Sequence, residues 1–224
     1  MIYKLERWAW WGGAMLAAIA GIVNAVAIQS YAHQAVTHIT GTTSLLSLAI
    51  ASGDSEGVAN LALVLGSFVA GAALSGFIIQ NGALKLGRRY GVALLIESGL
   101  LLLASRLMVG HVRLGSYATS AACGLQNAMA STYSGAVLRT THLTGMCTDL
   151  GASFGHLARG ATVDWIRVRL YALLVSAFAL GGVAGSLLFQ IWGPATLYLP
   201  SLFTGAVAIA YVIYAHRNRP RTAR

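Results

Sequence analysis

The chain has 224 residues, 57% of them hydrophobic and 9% charged, with a mean hydropathy of +0.69. Soluble globular domains carry about 25% charged residues, so this chain cannot cover a water-facing surface and belongs in a bilayer. Its formal charge of +9 lies between apolar runs and at the C-terminus, not on one basic face, which argues against nucleic acid and for anionic membrane lipid as partner.

In chain order, six apolar stretches approach the ~20 residues that a spanning helix needs. They cover 8–32, 58–80, 90–109, 115–136, 168–191 and 196–215. The first follows Lys4 and Arg7 in the manner of a signal peptide, but the same segment recurs later as an interior span, so it is read as a span. With the N-terminus in the cytoplasm, the inner segments hold Lys4, Arg7, Lys85, Arg88, Arg89, Arg139, Arg159, Arg167, Arg169, Arg217, Arg219, Arg221 and Arg224. Only Arg106 and Arg113 fall outside, so the basic residues divide thirteen to two, the positive-inside pattern. The first outer segment carries Asp54 and Glu56 and no Lys or Arg. The expectation is a multi-pass protein of the cell membrane with both termini cytoplasmic.

The chain repeats itself. "GIVNAVAIQSY…HITGTTSLL" from Gly21 answers "GLQNAMASTYS…HLTGMCTDL" from Gly124. Asn24 pairs with Asn127, and after a one-residue gap His38, Thr40 and Gly41 pair with His142, Thr144 and Gly145. Farther on, "SFVAGAALS" faces "AFALGGVAG", matching Phe68 with Phe178 and Gly71 with Gly181. Each copy holds three spans. An odd number inverts the second copy relative to the first, so a pseudo-two-fold axis in the membrane plane relates the halves. The expected fold is all-α: six transmembrane helices as two inverted three-helix repeats, 1–110 and 111–224, in a single membrane domain. The small residues around Gly71 and Gly181 recur every four positions, which suits close helix packing, either between the halves or in a homodimer.

After each Thr-Gly comes a helix-like stretch too short to span, 42–51 and 147–158, read as a re-entrant or interfacial helix. Thr40, Thr42 and Thr43, and likewise Thr144 and Thr148, are expected to cap its first turn, with Gly41 and Gly145 supplying a sharp turn before it. Irregular backbone at membrane depth persists only where it is buried in protein or lines a wet cavity. Two such breaks, each with a histidine and a positive helix end, suit a small anionic or polar solute. The plainer reading is that histidine and threonine satisfy local backbone at the lipid interface.

Asn24 and Asn127 either bond each other across the pseudo-axis or line the same cavity. Gln126 faces Val23 in the first copy and marks an asymmetry. Glu97 lies inside a span, where an acid serves as a proton relay or ion partner, in a salt bridge to Arg139 or Arg106, or as a protonated acid bonded to a neighbouring hydroxyl. Asp149 replaces Leu45 of the first copy and, with Arg139, His156, Arg159 and Asp164, gives the second motif a charged setting. Cys123 and Cys147 form no C-x-x-C, and no nucleotide, metal or esterase motif occurs, so neither a metal nor a cofactor is expected.

The paired signatures "GIVNA…HITGT" and "GLQNA…RTTHLTGMCTDL" resemble the YoaK-like family of bacterial inner-membrane proteins of unknown function. The resemblance covers nearly the whole chain and implies an inner-membrane location, but no substrate. Members of that family often carry an acid where this chain has Asn24. The function expected from the residues is a secondary transporter or channel-like permease, not an enzyme. His38, Thr40, Gly41, His142, Thr144 and Gly145 would form its site between the two breaks, Asn24 and Asn127 would brace it, and Glu97, Asp149 and Arg139 would couple protons or ions. The alternative is a non-transporting scaffold or partner subunit that assembles through the small-residue faces. An intramembrane enzyme, with paired histidines acting on lipid, has no visible nucleophile and base to support it.

Overall fold

The computed structural model describes residues 2–30, 36–80, 84, 88–110 and 112–217. Lys85, Arg219, Arg221 and Arg224 of the charge count lie outside them. The described residues form eight α-helices and no strand. They are α1 (Arg7–Gln29), α2 (Ile39–Ser52), α3 (Ser55–Ile78), α4 (Arg88–Val109), α5 (Leu114–Ser134), α6 (Leu143–Ala158), α7 (Trp165–Trp192) and α8 (Tyr198–Arg217). Each predicted span falls on one of the six long helices, and the two short helices, α2 and α6, begin within the two motifs.

Four apolar helical stretches are long enough to cross a membrane: Arg7–Gln29, Ser55–Ile78, Arg88–Val109 and the 49-residue Trp165–Ile213, which takes in α7 and most of α8. At 21 residues α5 has the length but not the composition, since Ser116, Thr119, Ser120, Gln126 and Asn127 interrupt it. The reason is its position. Thirteen of its residues are buried, so α5 packs against protein over most of its surface. Its hydroxyls bond within the bundle: Ser120 Oγ donates to the Val64 carbonyl at 2.8 Å, and Tyr117 Oη to Asn60 Oδ1 at 2.8 Å.

The helices pair across the two halves of the chain. Helix α1 packs on α7 and α3 on α5, and α4 lies between α8 and α5. The two cross-half contacts use matching residues. A side chain on Gly21 would collide with the Phe178 carbonyl, and one on Gly124 with that of Phe68. Reciprocally, Gly181 lies against the Ala18 carbonyl and Gly71 against that of Ala121. The small-residue faces are therefore taken up inside the chain, backbone on backbone. The third helices of the halves, α4 and α8, meet through a reciprocal pair of bonds: Ser98 Oγ donates to the Ser201 carbonyl and Ser201 Oγ to that of Ser98, both at 2.8 Å.

Caps repeat as well. Asp54 and Asp164 stand one residue before α3 and α7, and each accepts a backbone N–H three residues on, from Gly57 at 2.9 Å and Arg167 at 3.2 Å. Just before each, α2 and α6 end at glycines of left-handed conformation, Gly53 and Gly160, both with φ of 72°. On the exposed rim Glu56 pairs with Arg113, tying the start of α3 to the start of α5.

Candidate functional site

Both motifs lie one turn earlier than their sequence suggests. Helices α2 and α6 begin at Ile39 and Leu143, so Thr40, Gly41, Thr144 and Gly145 are already helical, and the break ends at His38 and His142. Neither glycine has a positive φ, so the expected sharp turn is absent. The glycines have another purpose: a methyl group on Gly41 would strike His38 Nδ1, and one on Gly145 would strike His142 Nε2. Each imidazole folds back over the first helical turn, and only a residue without Cβ leaves room for it. Nor do the threonines cap as expected. Thr42 Oγ1 donates to the His38 carbonyl at 3.2 Å, Thr43 Oγ1 to that of Ile39 at 2.8 Å, and Thr148 Oγ1 to that of Thr144 at 2.9 Å. These hydroxyls bond backward to carbonyls, because the backbone is helical from the residue after each histidine onward.

The second motif opens on a polar cavity of about 330 Å³. Arg139, His142, Gly145, Thr148 and Asp149 line it together with Tyr171, which α7 contributes. No ion pair joins Arg139 to Asp149, so both charges are presented to the same space. Thr144 is exposed and does not line it. His156 and Arg159 lie at the far end of α6, and Asp164 caps α7, so these three are not part of the site.

The structure does not bring the two motifs together. Helix α2 rests on α3 and α6 on α7, and the cavity at the second motif contains no residue of the first. His38 and Thr40 are exposed, and Gly41 lies beneath His38. Helix α2 follows the end of α1, whereas the end of α5, which leads into α6, shares a crevice with the start of α1. At 1.5 Å per residue, the 23 residues of α1 separate those two levels by about 34 Å.

The asparagines do not meet either. Asn24 Oδ1 accepts the Thr37 N–H at 3.3 Å, fastening the approach to the first motif onto α1. Asn127 Oδ1 is buried with no partner. Glu97 pairs with neither predicted arginine, since Arg106 stacks over the Tyr198 ring at 5.8 Å and Arg139 belongs to the cavity. It is 1% exposed, and its Oε1 accepts from Gln126 Nε2 at 2.8 Å. Glu97 Oε2 and Gln126 Oε1 are left without partners in a spot that has no room for water. Val23, the counterpart of Gln126, lines the same spot from α1.

A family described as "Protein of unknown function (DUF1275)" matches residues 12–210. The chain belongs to the DUF1275 family. No curated protein and no solved structure matches it. The region matched to DUF1275 contains both histidine motifs, both pairs of crossing glycines, Glu97 and the whole lining of the polar cavity.

Two results are expected of this DUF1275 chain at these positions. Gly145→Ala should displace the His142 ring without unfolding the protein, because the obstacle is the end of a side chain and alanine favours helix by about 1 kcal/mol. Thermal unfolding should move little, while the His142 ring resonances in NMR should shift. Gln126→Leu removes the one partner of a buried acid and should cost about 3 kcal/mol or more. Glu97→Leu combined with Gln126→Leu should unfold at a higher temperature than Gln126→Leu alone. The reverse order would show that the pair contributes no coupling.

Proposed function

We propose that this chain is a small permease of the cell membrane that passes a small anionic or polar solute. It is built from two inverted three-span halves with both termini in the cytoplasm. The observation that carries this reading is the polar cavity at the start of α6, where Arg139, His142, Asp149 and Tyr171 face one volume. Arg139 and the N-terminal turn of α6 suit an anionic group, while Asp149 and the imidazole suit a donor or a transferred proton. The matching glycine crossings and the reciprocal serine pair support the inverted repeat. The thirteen-to-two division of basic residues supports the orientation, with the polar cavity on the cytoplasmic side.

Because the two motifs lie at opposite ends of α1, the repeat supplies two half-sites and not one shared site. Rocking of the halves about the glycine crossings would open them in turn. Glu97 sits between α1, α4 and α5, inside the moving region, and is the candidate for proton coupling. The scaffold alternative would need surfaces other than those around Gly71 and Gly181, which the chain itself covers. Proteoliposomes exposed to a panel of small anions and polar metabolites test the reading. Uptake of at least one that depends on Arg139 and His142 is the expected result, and flux indifferent to both would end it.

A further inference from the structure

We propose that a crevice between α1 and α8 holds one acyl chain of an anionic phospholipid, with the headgroup over Arg7 and Arg88. The crevice is an apolar cavity of about 240 Å³, lined by Gly12 and Leu16 of α1, Leu94 of α4, Met129 of α5 and Val207 of α8. It exists because the repeat is imperfect. Helices α4 and α5 pack closely, but their counterparts α8 and α1 touch only sparsely. A Cβ on Gly12 would meet nothing within 4 Å. In a bilayer, water gains nothing from entering such a lining, whereas a lipid tail fits it.

The crevice has polarity at one end. From Trp8 to Leu16 it runs eight residues along α1, about 12 Å, which is nearly the depth of one leaflet of a ~30 Å core. At its mouth Trp8, Tyr90 and Tyr133 form an aromatic rim, with ring centroids 5.6 Å apart for Trp8 and Tyr133 and 6.1 Å for Tyr90 and Tyr133. Such rings mark the headgroup level of a membrane. Tyr90 is 4% exposed and lines the cavity with its ring, while its hydroxyl is buried without a hydrogen-bond partner.

Charge chooses the headgroup. Arg7 is the residue before Trp8, and Arg88 stands two before Tyr90, both exposed. Arg89 beside them donates to Gln80, and Glu6 at the same rim accepts from Trp8 Nε1. Two exposed arginines at the level of the mouth favour a lipid headgroup that carries net negative charge. This site is independent of solute passage, and its test uses no flux.

The full-length protein, purified in detergent and re-lipidated with equal amounts of phosphatidylglycerol and phosphatidylcholine, is weighed by native mass spectrometry. One phosphatidylglycerol should stay bound in preference to phosphatidylcholine. Gly12→Leu fills the open space and should lower occupancy at least tenfold, while Gly66→Leu, equally unobstructed on α3, should not. Arg7→Gln combined with Arg88→Gln lies on the exposed rim and should keep a lipid but lose the preference for the anionic one. Equal retention of both lipids by the wild type overturns the proposal, as does unchanged occupancy in Gly12→Leu or wild-type protein that retains detergent alone.

Discussion

Gly181→Leu and Gly71→Leu should each yield almost no monodisperse protein from the membrane. At both positions the obstacle to a side chain is main chain of the crossing helix, the Ala18 carbonyl for Gly181 and the Ala121 carbonyl for Gly71. Overpacking costs about 1–3 kcal/mol where side chains yield, and more where helices must separate. That separation would also forfeit the tight contacts that substitute for the hydrophobic effect between helices in lipid. Gly66→Leu and Gly76→Leu provide the contrast on α3 itself, since a Cβ at either meets nothing within 4 Å. Solubilised yield and the unfolding temperature should stay near wild type in these two. Equal loss in all four variants would mean that helix propensity and not the crossing sets the effect.

On the permease reading proposed above, Arg139→Gln should lower solute uptake by about 10- to 150-fold, the equivalent of one charge-assisted hydrogen bond at about 1.5–3 kcal/mol. Arginine supplies a fixed fork of donors, so Arg139→Lys should restore only part of the loss. His38→Ala separates one site from two. If the motifs act as half-sites in turn, it should slow flux while leaving solute binding at the Arg139 cavity unchanged, as equilibrium binding to detergent-solubilised protein would read. Loss of both together would point to a single shared site.

Most of the helices are legible in the sequence because a bilayer leaves few alternatives: an apolar run of twenty residues has to be a helix. Even α5 is legible by length and by its match to α1, although only the structure explains its polarity, which is burial against protein. The pairing of Gly21 with Gly124 and of Gly71 with Gly181 was legible too. What those glycines touch was not, because a four-residue spacing describes a face and never names its partner. Asp54 and Asp164 carried a readable signal, each standing 17 residues before its crossing glycine, Gly71 or Gly181. The candidate site was half legible. Arg139, His142, Gly145 and Asp149 are neighbours in the chain, whereas Tyr171 joins them from another helix. The fit of an imidazole over Gly41 or Gly145 depends on side-chain direction, which a motif does not record. Glu97 and Gln126 each stood out alone, but their 29-residue separation concealed the pair.

The glycine crossings also govern when this protein is able to mature during synthesis. Helix α1 finds its close partner only in α7, with Gln29 bonding to Ser186 across 157 positions. A nascent chain that has delivered its first half to the bilayer therefore holds Gly21 and Gly71 open to lipid until α5 and α7 arrive. Assembly has to wait for the second half, and a chain truncated between them would leave the glycine faces of α1 and α3 without the helices that cover them.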